Sequence, residues 1–266
     1  MNKRVWFRWS HTLLYVKTQN FPRCVFYDII YIIIYCLGGC IVILKKIILE
    51  GDSNYEKEHN LFPIRWKSHH ITELFMELCP KLDLDGNGKL TIFATRNRRE
   101  NAKKYNNYKE FHVSSYYLEE EQIKNLEHLD LEEAENYFLD IIEQVLTDII
   151  ERNSGDEEKI SIIKATVNQI LEEDFSLKKK IKTLSKKENK GKYNAEVFRC
   201  LDKKLGEAWC VEIHSGTSGQ TRVEWLTSRP DYLDRRDYFK KSKWEDNKFV
   251  LTDRLGADIA AINVEK

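Results

Sequence analysis

Asp83, Asp85, Asn87 and Gly88, in the run "KLDLDGNGKLTIFAT", stand at positions 1, 3, 5 and 6 of a twelve-residue calcium loop. A hard cation asks for oxygen ligands at 1, 3 and 5, a glycine at 6 for the sharp turn, and a bidentate carboxylate at 12. Lys89 would add a backbone carbonyl at position 7, and Leu90 is apolar at position 8. Position 12 is Ala94, which removes two oxygens and a full charge, so affinity falls below the range of calcium sensors. No second loop of this spacing occurs. Asp83, Asp85, Asn87 and Lys89 are therefore either a weak calcium site or a turn that keeps its outline.

Other chemistry-bearing residues form no known pattern. His69 and His70 are adjacent, so on a helix they diverge by about 100° and cannot chelate together. Cys200, Cys210 and His214 lack zinc-ligand spacing, and Cys210 and His214 fall on the outward face of an expected strand. The six cysteines are scattered, which fits a reducing compartment better than a disulfide framework. No G-x-S-x-G, G-x-x-x-x-G-K-[ST], G-x-G-x-x-G or H-E-x-x-H occurs. The chain reads as non-catalytic, with weak calcium as its one candidate cofactor.

Charge excludes little, because 43 basic and 43 acidic side chains cancel. Its distribution says more. Residues 118–174 carry eighteen acidic groups against four basic ones, and residues 175–192 carry eight lysines against Glu188. Such blocks are solvated helix faces or linkers, and no aromatic platform accompanies the lysines to suggest nucleic acid.

The calcium-loop run is preceded by Ile71, Leu74, Phe75, Leu78 and Leu82 at helical spacing, the expected entering helix. The run "RNRRENAKKYNNY" after it is too polar for a packed leaving helix, so residues 60–94 read as a degenerate EF-hand half. Asp130 and Glu133 form a capping-box pattern ahead of an apolar stripe from Ala134 to Ile150, with Gly155 as the stop. This predicts an acidic amphipathic region over 116–155. A second helix is expected through Ile160, Ile163, Val167, Ile170 and Leu171, with a possible extension to the lysines at 178–180.

The first 50 residues carry seven basic and two acidic groups. Within them Cys24 to Leu44 is a run of 21 residues with one charge, Asp28. A helix of that length rises about 30 Å, enough to cross the hydrocarbon layer, so a membrane helix is expected over 24–46. A buried β-rich segment is the alternative; a secretory signal fits poorly, for no small-residue cleavage site follows. Basic residues flank the run almost evenly, which leaves its orientation open.

In the last third, Val197, Leu201 and Leu205 lie four apart behind Asn194 as N-cap, with Gly206 as a left-handed stop, and predict a helix. Trp209, Val211 and Ile213 then alternate as in a half-buried strand, "HSGTSG" turns, and Thr221, Val223 and Trp225 alternate again. The fold class is α+β: a helical N-terminal region followed by helices packed on an antiparallel sheet over 156–266.

This last region resembles the dynein light chains, dimeric hub proteins with two helices and an antiparallel sheet. Leu201-Asp202-Lys203-Lys204-Leu205-Gly206 followed by Ala208-Trp209 resembles the end of that family's second helix and the start of its first strand. "GQTRVEW" (219–225) resembles its next strand, and "KFVLTDRLGADIAAINV" (248–264) a weakened last hairpin. An EF-hand-like segment ahead of such a domain is also similar to the tegumental calcium-binding proteins of parasitic flatworms. Residues 227–247 look like an insertion, and Asp253 and Arg254 stand where the family's dimer strand is apolar.

The resemblance implies a homodimer that takes client peptides, or dynein intermediate-chain-type partners, by strand addition. It implies Gly219, Thr221, Arg222, Val223 and Glu224 as the binding strand, with Lys203 and Lys204 on the helix side of the groove. It places the protein in the cytoplasm with the microtubule cytoskeleton, tethered to a membrane if the N-terminal run inserts. The alternative expectation is a weak calcium-binding, membrane-associated protein.

Overall fold

The computed structural model describes residues 42–59, 61–98, 102–129 and 131–264, together with two strands near the N-terminus. Residues 1–41 and 42–266 form separate units. In the first, β1 (Arg4–Trp9) pairs antiparallel with β2 (Thr12–Lys17). The expected membrane helix falls, over residues 24–41, outside the described residues. Its last part is corrected: residues 42–45 are not helical and Lys46 opens a strand. Among the described residues no helix is long and apolar enough to cross a membrane.

The second unit is mixed α and β. Its first sheet has the order β3-β4-β6-β5, built from β3 (Lys46–Gly51), β4 (Lys89–Ala94), β5 (Tyr105–Tyr108) and β6 (Val113–Tyr117). β3, β4 and β6 run parallel, and β5 returns antiparallel beside β6. Between β3 and β4 lie the short helices α1 (Ser53–Glu58) and α2 (Ile64–Lys67) and then α3 (His69–Leu78). After β6 come α4 (Glu120–His128), α5 (Leu131–Asn153) and α6 (Glu157–Glu172). One face of the sheet, carrying Ile47, Leu49, Leu90 and Ile92, packs on Ile71, Leu74 and Phe75 of α3 and on the apolar stripes of α5 and α6. The stripe from Ala134 to Ile150 is buried as its 3-4 spacing requires. Gly155, at φ +61°, ends α5, and Asp156 caps α6 by accepting from the Glu158 and Lys159 amides.

The second half is a β-sandwich. β7 (Leu177–Lys180), β8 (Lys186–Lys187), β9 (Tyr193–Asp202), β10 (Gly206–Ser215) and β11 (Thr221–Trp225) form one antiparallel sheet, with β11 and β7 at its margins. β12 (Lys241–Glu245), β13 (Lys248–Thr252) and β14 (Asp258–Asn263) form the other. Val197, Trp209, Val211 and Ile213 of the first meet Phe249, Leu251 and Ile262 of the second across an apolar core. The ten-residue strands β9 and β10 reach about 33 Å. They are long enough to serve two layers: one end packs on the second sheet, while Leu201 at the other end joins the helical core.

Several expectations are corrected here. The helix over 194–205 is strand β9, followed by a turn at 203–205. A spacing of four is twice the strand repeat and close to one helical turn, so Val197 and Leu201 fit either period, and the pairing with β10 decides. The element matching the resemblance's second helix is thus a strand. The extension of α6 to lysines 178–180 is β7, with Asp174 and Phe175 at positive φ marking the break. The segment 227–247, expected as an insertion, contains β12 and a loop tied into the core. β13, which covers the "VLT" of the supposed dimer strand, is the middle strand of its sheet and is already paired on both sides.

Gly206 meets a double constraint. Its φ is +63°, and a Cβ there would lie 2.2 Å from the Asp231 carbonyl oxygen. That oxygen accepts from the Glu207 amide at 2.7 Å, so the close approach belongs to the chain path. Gly206→Ala should lower stability by at least about 2 kcal/mol in urea denaturation, strain and overlap acting together.

Candidate functional site

The open margin of the larger sheet is β11. Ser215 N donates to Gln220 O at 2.9 Å and Leu226 N to Trp209 O at 2.8 Å, which frames the ladder between β10 and β11. Antiparallel pairs alternate, so Ile213–Arg222 and Val211–Glu224 are the hydrogen-bonded pairs between them. The N–H and C=O of Thr221, Val223 and Trp225 therefore point away from the sheet. Among the described residues no strand pairs on that side and no backbone hydrogen bond reaches those groups.

The chain after β11 stays clear of this edge. Thr227 Oγ1 accepts from Trp209 N, and Asp231 bonds to Leu205 and Glu207, so residues 226–231 continue along the first half of β10. Side chains of β11 divide between two faces. Thr221, Val223 and Trp225 lie on the outer face with Phe198, Cys200, Cys210, Glu212 and His214. Val223 is 46% exposed. The Arg229 guanidinium stands 4.6 Å over the Trp225 ring and the Lys178 ammonium 4.6 Å over Phe198. His214 Nδ1 contacts Thr221 Oγ1 at 2.8 Å. Cys200 and Cys210 are buried on this face with their thiols hydrogen-bonded, which corrects the surface reading of Cys210.

Of the residues that the resemblance marked, Gly219 (φ +68°) forms the turn into β11, and Thr221 to Glu224 lie on the edge strand together. Arg222 reaches Asn263 O at 2.6 Å and Glu224 at 3.0 Å. Lys203 and Lys204 are not brought to them. Both sit in the turn between β9 and β10, where Lys203 Nζ lies 3.7 Å from Glu135 of α5.

The calcium residues do not converge as loop ligands. Asp85 (φ 52°) and Gly86 (φ 73°) make a hairpin turn closed by Asn87 N to Leu84 O at 3.0 Å. Asp83 Oδ1 accepts from Gly86 N, and Asp85 Oδ2 accepts from the side chains of Asn107 and Tyr105. Asn87 is fully buried and its Nδ2 donates to Leu84 O, Asp85 O and Tyr105 Oη. Strand β4 continues through Ala94, so the last loop positions, where an EF-hand has entered its leaving helix, are extended here. The Asp85 carboxylate and burial together push the Tyr105 hydroxyl up to about 12, burial being the larger cause.

Sequence reasoning missed the strongest electrostatic feature. Arg199 of β9 is 2% exposed and clasps Glu207 of β10 bidentately, at 3.0 and 2.8 Å. It also donates to Glu73 at 2.7 Å and Glu77 at 3.1 Å, both on α3. His69 Nε2 and Trp209 Nε1 reach Glu207 as well, and Arg236 bridges Glu73 and Asp234. Lys46 pairs with Asp234 and Lys179 with Glu77. Glu73, Glu207 and Asp234 place carboxylate oxygens within 4.8 Å of one another, a grouping that could suggest a metal. Here Arg199, Arg236, Lys46 and Lys179 already match the four carboxylates, so no further cation is required. His70 turns away to Glu135, 2.7 Å distant, as two adjacent helical histidines must.

Comparison with protein families, with curated proteins and with solved structures finds no match to this chain.

Burial alone would raise the Glu207 carboxyl, but hydrogen bonds from His69 and Arg199 outweigh it and hold it at about 2. A lowered folded value means stability that is complete above about 4.5, the ordinary value, and lost as pH falls toward about 2. The urea midpoint should decline over that window, and Glu207→Gln should flatten the decline. Arg199→Met leaves three glutamates without their guanidinium and should cost about 3–5 kcal/mol in the same assay, against less than about 1 kcal/mol for exposed Lys180→Ala.

Proposed function

We propose that this protein is a non-catalytic interaction module that binds an extended polypeptide by strand addition to β11. The observation that carries the reading is the unpaired row of backbone groups on Thr221, Val223 and Trp225 at the sheet margin. A guest strand laid there satisfies those groups with its own amides and carbonyls. Net gains of about 0.5–1.5 kcal/mol per hydrogen bond make backbone pairing alone weak, so side chains must supply the rest.

The outer face states what those side chains should be. Val223 and Trp225 are the apolar side chains of the edge strand on this face, so a guest with apolar residues at alternate positions would pack beside them. A second copy of this chain is one guest of that kind, since two β11 edges can pair with each other. The resemblance to dynein light chains would make the guest a motor intermediate-chain-type peptide. The chemistry of the edge itself asks only for an extended segment of alternating polarity.

Peptides selected from a displayed random library against the full chain should bind Val223→Pro at least tenfold more weakly in fluorescence polarisation. The Val223 amide points outward, so proline removes a bond to the guest and none to β10, and the urea midpoint should hold. Equal affinity for the two proteins would reject β11 as the binding edge.

A further inference from the structure

Parallel strands β3 and β4 end side by side, Gly51 beside Ala94. The segments that leave these two carboxyl ends, α1 after β3 and residues 95–97 after β4, frame a recess. A cavity of about 350 Å³ opens at this place, within the size range of small-molecule sites. Its polar groups are unequal. Asp52 accepts from the Asn54 and Tyr55 amides at 3.1 and 3.3 Å and from Asn97 Nδ2 at 2.7 Å, so its carboxylate is internally satisfied.

Glu56 is not satisfied in this way. It is 8% exposed, and among the described residues its side chain accepts one hydrogen bond, from Ile64 N to Oε1 at 2.9 Å. A Cβ on Gly51 would lie 2.0 Å from that same oxygen, so the glycine is what lets the carboxylate lie against the strand end. Two cations, Lys67 and Arg96, line the cavity, and the Arg96 guanidinium stands 4.8 Å over the Tyr55 ring; among the described residues neither forms an ion pair with Glu56. A buried carboxylate without a counter-ion is costly, and a cation supplied from outside removes that cost. Opposite it the floor is apolar, formed by buried Ala94, Ile123 and Leu126, and Tyr55 and Phe62 supply aromatic walls.

We propose that this cavity binds a small organic cation, a primary ammonium group on an apolar or aromatic body, with the ammonium against Glu56. The ammonium donates to the carboxylate while the body covers the floor. The lining carries Asp52, Glu56 and Glu58 against Lys67 and Arg96, a balance that is negative by one charge and favours a cation over an anion. The proposal is independent of the β11 edge, which lies on another sheet.

Calorimetry on the full chain tests it with butylamine, phenethylamine and tryptamine, and with 2-phenylethanol as the uncharged counterpart of phenethylamine. Saturable one-to-one binding is expected for at least one amine, with phenethylamine at least tenfold tighter than the alcohol. Glu56→Gln keeps the acceptor for Ile64 N and should bring the amine down to the alcohol's affinity. Should that variant fail to fold, the comparison of amine with alcohol on the unaltered chain decides alone. Absence of binding by all three amines, equal affinity for amine and alcohol, or an unchanged affinity in folded Glu56→Gln would each overturn the assignment.

Discussion

The guanidinium of Arg199 is the interaction on which the arrangement depends. A strand residue with a full charge at the centre of the molecule is tolerable only when its hydrogen-bond donors find acceptors, and Glu207, Glu73 and Glu77 provide them. Those acids come from two layers. Glu207 belongs to the sheet, Glu73 and Glu77 to α3, so satisfying one arginine fastens the α/β part to the β-sandwich. Trp209 then joins the network to the apolar core, because its ring packs with the second sheet while its N–H reaches Glu207.

The same network governs the loop after β11. Asp231 bonds to Leu205, Glu207 and Arg235, and Asp234 and Arg236 pair with each other beside Glu73. These ties draw the loop inward along the start of β10. Had the segment been free to lie along β11, its backbone would have covered the outward amides. The loop is thus held along β10 by backbone hydrogen bonds at Leu205, Glu207 and Trp209 together with the ion pairs of Asp231, Asp234 and Arg236.

Legibility followed how local the determinant was. The stripes of α5 and α6 were readable because helical spacing and caps lie within a few turns, and the alternation of β10 and β11 was readable for the same reason. β9 was not, since its inward-facing positions are Ala195, Val197, Arg199 and Leu201, and the arginine breaks the apolar alternation that marks a strand. Asp85-Gly86 is a hairpin signal inside residues that also fit a calcium loop, and spacing alone cannot separate the two. Strand β3 lies just beyond the apolar run, and with only Ile47 and Leu49 buried its alternation is too short to mark a strand by itself. The ion network joins residues near 73, 199 and 236, and pairing over such separations leaves no local period to read.

The account rests on the β11 edge being open in solution, and amide hydrogen exchange by NMR measures that most directly. Openness requires an alternating pattern in which Arg222 and Glu224 are protected by the ladder to β10 while Thr221, Val223 and Trp225 exchange at least tenfold faster. Uniform protection across 221–225 would show those amides already bonded, and the strand-addition reading would be contradicted.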